Sequence, residues 1–111
     1  MKKNFAFLFL FLLFFAAKSQ TTLKVLFLGN SYTSVNDLPG LTSLVTKSAG
    51  DSLIYSSNTP GGYTFNQHST NATSTALISQ GGCNYVVLQE QSQLPSFTDG
   101  EVQSMVFPYA T

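Results

Sequence analysis

Residues 23–28, Leu-Lys-Val-Leu-Phe-Leu, form a nearly continuous apolar run that stops at Gly29. A run of this kind, without apolar–polar alternation, reads as a strand buried on both faces, as in a parallel sheet. Such a strand needs neighbours on two sides and helices above and below, and the rest of the chain offers them in turn. Asp37-Leu38-Pro39 opens a helix with proline in its first turn, and Leu41, Leu44, Val45 and Ser48-Ala49 share one face up to a stop at Gly50. Residues 53–57 are a second, weaker strand, ended by Asn58-Thr59-Pro60-Gly61-Gly62. Residues 64–79 are polar with few apolar anchors (Phe65, Ala72, Ala76, Leu77, Ile78) and are expected to form a loop leading into a helix. Tyr85-Val86-Val87-Leu88 is a third strand. Thr98-Asp99-Gly100-Glu101 has the spacing of a capping box, followed by Val102, Met105 and Val106 at helical intervals until Pro108 intervenes.

Strand and helix therefore alternate, which implies an α/β fold with a parallel sheet. Right-handed crossovers favour a flavodoxin-like, three-layer α/β/α arrangement with strand order 2-1-3. Three strands are fewer than the 5–6 or so of a typical sheet. The expectation is an incomplete domain with an open sheet edge.

The 43% apolar content averages two unlike segments. Residues 1–19 contain Lys2, Lys3, Lys18 and no acid, and residues 5–17 are uninterrupted apolar side chains. Thirteen residues suit a signal h-region and fall short of the 20 or so a spanning helix needs. Ala17-Lys18-Ser19 supplies the small residues of a cleavage site, so residues 1–19 are expected to be a secretory signal and residues 20–111 the mature domain. No cysteine lies near that site to carry a lipid anchor, and no stable membrane anchor is expected after cleavage. The mature part holds two lysines against five acids and no arginine, a poor composition for binding nucleic acid. Cys83 is the single cysteine, which excludes a disulfide scaffold; a small, half-buried apolar role is expected for it. No His or carboxylate set has metal-ligand spacing, so neither metal nor cofactor is expected.

In open parallel sheets ligands bind beyond the carboxyl ends of the strands. Three loops lie there: Gly29-Asn30-Ser31-Tyr32-Thr33, Pro60-Gly61-Gly62-Tyr63-Thr64 and Gln89-Glu90-Gln91-Ser92-Gln93. Ser31 sits where a strand-to-loop turn can present a hydroxyl, though a turn or cap serine has the same surroundings. The elbow of α/β-hydrolases needs Gly-x-Ser-x-Gly, and Thr33 occupies the second glycine's place. No Gly-Lys-Ser/Thr phosphate loop is present.

Leu26-Phe27-Leu28-Gly29-Asn30-Ser31 resembles the first block of the SGNH (GDSL-type) hydrolase superfamily, with Asn30 in place of the usual Asp. The Asp-Leu-Pro helix start, Thr-Pro-Gly-Gly-Tyr-Thr after the second strand and Val-Val-Leu-Gln-Glu-Gln-Ser after the third extend the resemblance to an exported bacterial branch, over residues 24 to about 107. The resemblance implies that Ser31 is the nucleophile of a serine esterase and that its N–H is one oxyanion donor. It implies a second donor at Gly61 or Gly62. Gly62 is favoured, on the premise that the turn after Pro60 needs Gly61. The family's third donor is an Asn side chain, absent here; Gln93 falls nearest its position, with Gln89 or Gln91 as alternatives. The implied substrates are small acyl esters, most plausibly acetyl groups on carbohydrate, and the implied location is periplasmic or extracellular.

The family's base is the His of an Asp-x-x-His near the domain's end, and this sequence contains none. The single histidine, His68, is expected to shape the second loop rather than to serve as base. A serine hydroxyl without a base is a poor nucleophile. The 111-residue chain is therefore expected to be inactive, with activity in a longer product. A non-catalytic ligand-binding domain or pseudo-enzyme that keeps the loops is the alternative. Glu90 is readable as a substrate contact or a hydrogen-bonded loop carboxylate. Tyr32, Tyr63 and Phe97 are readable as cleft or packing residues, and Asn71-Ala72-Thr73 has the pattern of a glycosylation sequon.

Overall fold

The computed structural model describes residues 19–110. The expected signal segment, Ser19 apart, lies outside the described residues. The elements run β1 (Thr22–Leu28), α1 (Ser31–Ser34), α2 (Leu38–Ser48), β2 (Ser52–Asn58), α3 (Phe65–Thr70), α4 (Ala72–Gln80), β3 (Tyr85–Leu88) and α5 (Asp99–Met105). Short 3-10 turns lie on either side of α5, at Leu94–Ser96 and Phe107–Tyr109.

The three strands form one all-parallel sheet in the order β2-β1-β3, the α/β arrangement expected. Thr22 pairs with Ser52 at one end of the β1–β2 ladder and Leu28 with Asn58 at the other. Val25 to Leu28 pair with Tyr85 to Leu88. Right-handed crossovers in this order send the α2 connection and the α3–α4 connection to opposite faces. The buried apolar residues are concentrated on the central strand: Val25, Leu26, Phe27 and Leu28, joined by Phe65 and Val106. Strands pair with this apolar run on both of its edges, which leaves its two faces to the crossover helices.

Two expectations about the helices change. Residues 65–70 are helical, because Thr64 and Gln67 close a capping box: Gln67 N–H donates to the Thr64 hydroxyl and Thr64 N–H donates to Gln67 Oε1. Asn71 then ends α3 and caps α4, accepting from the N–H groups of Thr73 and Ser74. In α2 the predicted apolar face is not buried: Leu41, Leu44 and Val45 are exposed. The helix turns its hydroxyl residues to β2 instead. Ser43 Oγ donates to Leu53 O across 2.9 Å, and Thr42 and Thr46 donate to the carbonyls of Leu38 and Thr42. With their hydroxyls bonded, these side chains can face the strand without orphaned polar groups. Cys83 is exposed rather than half-buried, carried at the surface by the turn that follows Gly81 and Gly82.

Candidate functional site

Two backbone hydrogen bonds bring the three loops together at the carboxyl end of the sheet. Gly29 N–H donates to Asn58 O at 3.2 Å, and Gln89 N–H donates to Leu28 O at 2.9 Å. Each bond extends a ladder by one residue past its strand, so the loops start side by side.

Asn30 is the hub. It is buried, and every polar atom it carries is engaged. Its Oδ1 accepts from Tyr32 N–H at 3.1 Å, capping the one-turn helix α1. Its Nδ2 donates to Tyr63 O in the second loop at 3.0 Å. Its backbone N–H donates to Gln89 Oε1 in the third loop at 3.0 Å. A carboxylate has no hydrogen to offer Tyr63 O, which gives a physical reason for asparagine at this position. The same Gln89 oxygen accepts from Thr33 Oγ1 at 3.0 Å, so the residue that breaks the elbow pattern is a buried strut. Gly29 is needed by proximity. A Cβ there would lie 2.6 Å from Thr33 Oγ1 and 2.8 Å from Gln89 Oε1.

Ser31 is the first residue of α1 and is partly exposed. Neither its hydroxyl nor its N–H has a hydrogen-bond partner among the described residues. Ser31, Tyr32, Val35 and Asn36 line an open depression of about 370 Å³. Asn36 and Asp37, both with left-handed backbone, turn the chain away from it. Asp37 is held there by accepting from Gly40 N–H and capping α2.

In the second loop, Tyr63 N–H donates to Pro60 O at 3.3 Å and Gly62 has a φ of 74°. Positive φ at the third position of a turn is the glycine-requiring place. The premise that Gly61 is the turn-requiring residue is thus corrected: Gly62 is. The N–H groups of Gly61 and Gly62 have no intrachain partner among the described residues.

The three glutamines differ sharply. Gln89 is committed, its oxygen to Asn30 and Thr33 and its Nε2 to Glu90 O. Gln91 Oε1 accepts from Gln93 N–H at 2.7 Å and Leu94 N–H at 3.3 Å, capping the 3-10 turn. Gln93 is exposed, and its amide has no partner among the described residues. Glu90 is a structural carboxylate. Both of its oxygens accept from Phe65 N–H, at 3.1 and 3.2 Å, and Oε1 also accepts from Gln91 N–H. It thereby ties the third loop to the start of α3.

His68 does not reach Ser31. It is 4% exposed, with Nε2 2.8 Å from Gly29 O and Nδ1 2.7 Å from Ser74 Oγ. Tyr63 packs edge-on against its ring, with centroids 5.1 Å apart. Asn58 Nδ2 donates to Ser74 Oγ and to Asn71 Oδ1, and Asn71 Nδ2 donates to Tyr63 Oη. Asn71 is thus a bonded cap rather than an open sequon. Tyr63 is a packing residue, whereas Tyr32 and Phe97 are exposed. The sequence reading missed Ser74 and Asn58; nothing in Ala-Thr-Ser-Thr-Ala marks the former. The capping pattern Thr64-x-x-Gln67 would have found α3. No trio of His, Cys, Asp or Glu side chains comes together among the described residues to hold a metal.

No protein-family model, curated protein or solved structure matches the chain.

Proposed function

We propose that this chain carries the nucleophile and oxyanion side of a serine esterase of the SGNH type, acting on small acyl esters, with acetylated carbohydrate as the substrate class the motif resemblance implies. The observation that carries this reading is the state of Ser31. Its hydroxyl and N–H are both without partners among the described residues, on a turn at the end of the central strand that residues from all three loops brace. A cap or turn serine normally spends its hydroxyl on the backbone; here Asn30 does the capping and leaves Ser31 available.

In this reading Ser31 Oγ attacks the ester carbonyl while its proton passes to a base. The carbonyl oxygen becomes an oxyanion that accepts from Ser31 N–H, from the N–H of Gly61 or Gly62, and from the Gln93 amide. Collapse of the tetrahedral intermediate expels the alcohol with its proton returned from the base, and water then hydrolyses the acyl-serine. Each preorganised donor is worth about 2.7–4 kcal/mol in systems of this kind. The base is not among the described residues, and His68 is committed elsewhere. Residues 20–111 by themselves are therefore expected to turn over no ester. The lysine-capped apolar N-terminus supports export to the periplasm or beyond. No helix among the described residues is long and apolar enough to cross a membrane.

The commitment of His68 to Gly29 O and Ser74 Oγ supports a second reading, a non-catalytic binding domain with the same loops. Acetyl-ester hydrolysis by the longer product that the esterase reading needs for its base separates the two. Turnover reduced by about 10³-fold or more in Ser31→Ala supports the esterase. Binding of acylated carbohydrate without turnover supports the binding domain.

A further inference from the structure

We infer that His68 is a positioning residue for the Ser31 turn, holding Gly29 through an Nε2–H donor while a buried serine fixes the ring's tautomer. The inference rests on the esterase reading for its effect on Ser31, but the tautomer stands on hydrogen-bond geometry alone.

The partners assign each proton. Gly29 O can only accept, so the ring nitrogen 2.8 Å from it, Nε2, carries hydrogen. Ser74 is fully buried at 0% exposure, and its hydroxyl oxygen already accepts from Asn58 Nδ2. The hydroxyl's own hydrogen has one acceptor in reach among the described residues, His68 Nδ1 at 2.7 Å. Ser74 therefore donates and Nδ1 accepts. Both constraints arrive at the same tautomer independently, and among the described residues no buried side-chain polar atom is left without a partner. Asn58 closes the chain of bonds, and it stands at the end of β2, opposite Leu28 in the sheet. The network thus links the end of β2, the α3–α4 pair and the last residue before Asn30-Ser31.

This arrangement leaves no nitrogen for general-base work. The one lone pair on the ring faces Ser74, and the N–H faces a carbonyl. Fixing Gly29 O fixes the peptide plane that delivers the Asn30 N–H to Gln89 Oε1, and with it the direction in which Ser31 leaves the strand. Displacing a reacting group by an ångström can cost up to about 100-fold in rate.

The test uses the longer product that the esterase reading needs for its base, and two readouts. In the first, ¹⁵N-edited NMR of the His68 ring is expected to find hydrogen on Nε2 and an unprotonated Nδ1 whose resonance moves in Ser74→Ala. Hydrogen on Nδ1 overturns the assignment, whatever Ser31 does. In the second, the rate at which a fluorophosphonate labels Ser31 is compared among variants of matched folded fraction. Gln can place an amide N–H on Gly29 O but cannot act as a base near neutral pH. His68→Gln is therefore expected to label within a few-fold of the parent, and His68→Phe to label about 10- to 100-fold more slowly. Equal loss in both variants identifies His68 as a base and overturns the inference, as does undiminished labelling in His68→Phe. If His68→Phe does not fold, Ser74→Ala takes its place: slower labelling supports the strut, and a parental rate overturns it. Failure of the parent itself to label at Ser31 removes the esterase reading, and the positioning role with it, while leaving the tautomer result standing.

Discussion

Asn30 concentrates more of the site's geometry than any other residue, since its side chain and backbone N–H together join all three loops while it is buried. Asn30→Asp keeps the cap on Tyr32 N–H but leaves Tyr63 O without its donor and puts a carboxylate in a buried place. A loss of about 1–3 kcal/mol is expected for the unsatisfied group alone, read as a lowered urea midpoint of the folded protein. Gly29→Ala tests the close approach beside it. Its methyl group would need Thr33 and Gln89 to move, and overpacking of this kind costs about 1–3 kcal/mol. A neutral outcome for either substitution would mean that the loops can be braced without these contacts. Much of this was invisible in the string Gly-Asn-Ser-Tyr-Thr. The sequence marks a turn at the end of a strand. It does not reveal that Asn30 donates to a carbonyl 33 residues away, because nothing local encodes that partner. The role of His68 was only partly readable for the same reason: its partners, Gly29 O and Ser74 Oγ, come from separate elements.

Strands were the readable elements, and the reason is physical. Val25 to Leu28 and Tyr85 to Leu88 are apolar runs whose pairing needs no special side chain, so composition alone located them. Helices with weak apolar periodicity were harder. α3 is six residues of polar character, held at its start by the Thr64–Gln67 box and by Glu90 from another loop. Propensity cannot register the second of these. α5, by contrast, is announced by Thr98 and Glu101, and its cap makes a pH prediction. The Thr98 hydroxyl and N–H both donate to the Glu101 carboxylate, at 2.7 and 3.0 Å, and hold its carboxyl below the usual 4.5. A carboxylate with a lowered value in the folded state stabilises fully above its unfolded value and loses that contribution as pH falls through the folded one. The start of α5 is thus expected to fray only below pH 4.5, seen as faster amide exchange at Asp99–Glu101. In Glu101→Gln this pH dependence should vanish; persistence would assign it to another group.

Taken whole, residues 19–110 bury one strand well and its neighbours poorly. All four residues of β3 are exposed, from Val87 at 40% to Tyr85 at 61%, and Leu41, Leu44 and Val45 of α2 point outward. An apolar hollow of about 420 Å³ opens between Leu28, Val86 and Leu88 of the sheet and Phe65 and Ile78 of α3 and α4. Open parallel edges and unfilled apolar surface favour association and loose packing. Residues 20–111 are therefore expected to melt broadly and to aggregate. A sharp, cooperative melt of a soluble monomer would contradict this. The functional account stands or falls on Ser31. The most direct measurement is to treat the longer product that the proposed esterase needs for its base with a fluorophosphonate and map the adduct by mass spectrometry. The account predicts a single modified peptide carrying the phosphonate on Ser31, and no labelling in Ser31→Ala. An adduct on another residue, or labelling that survives Ser31→Ala, would contradict it.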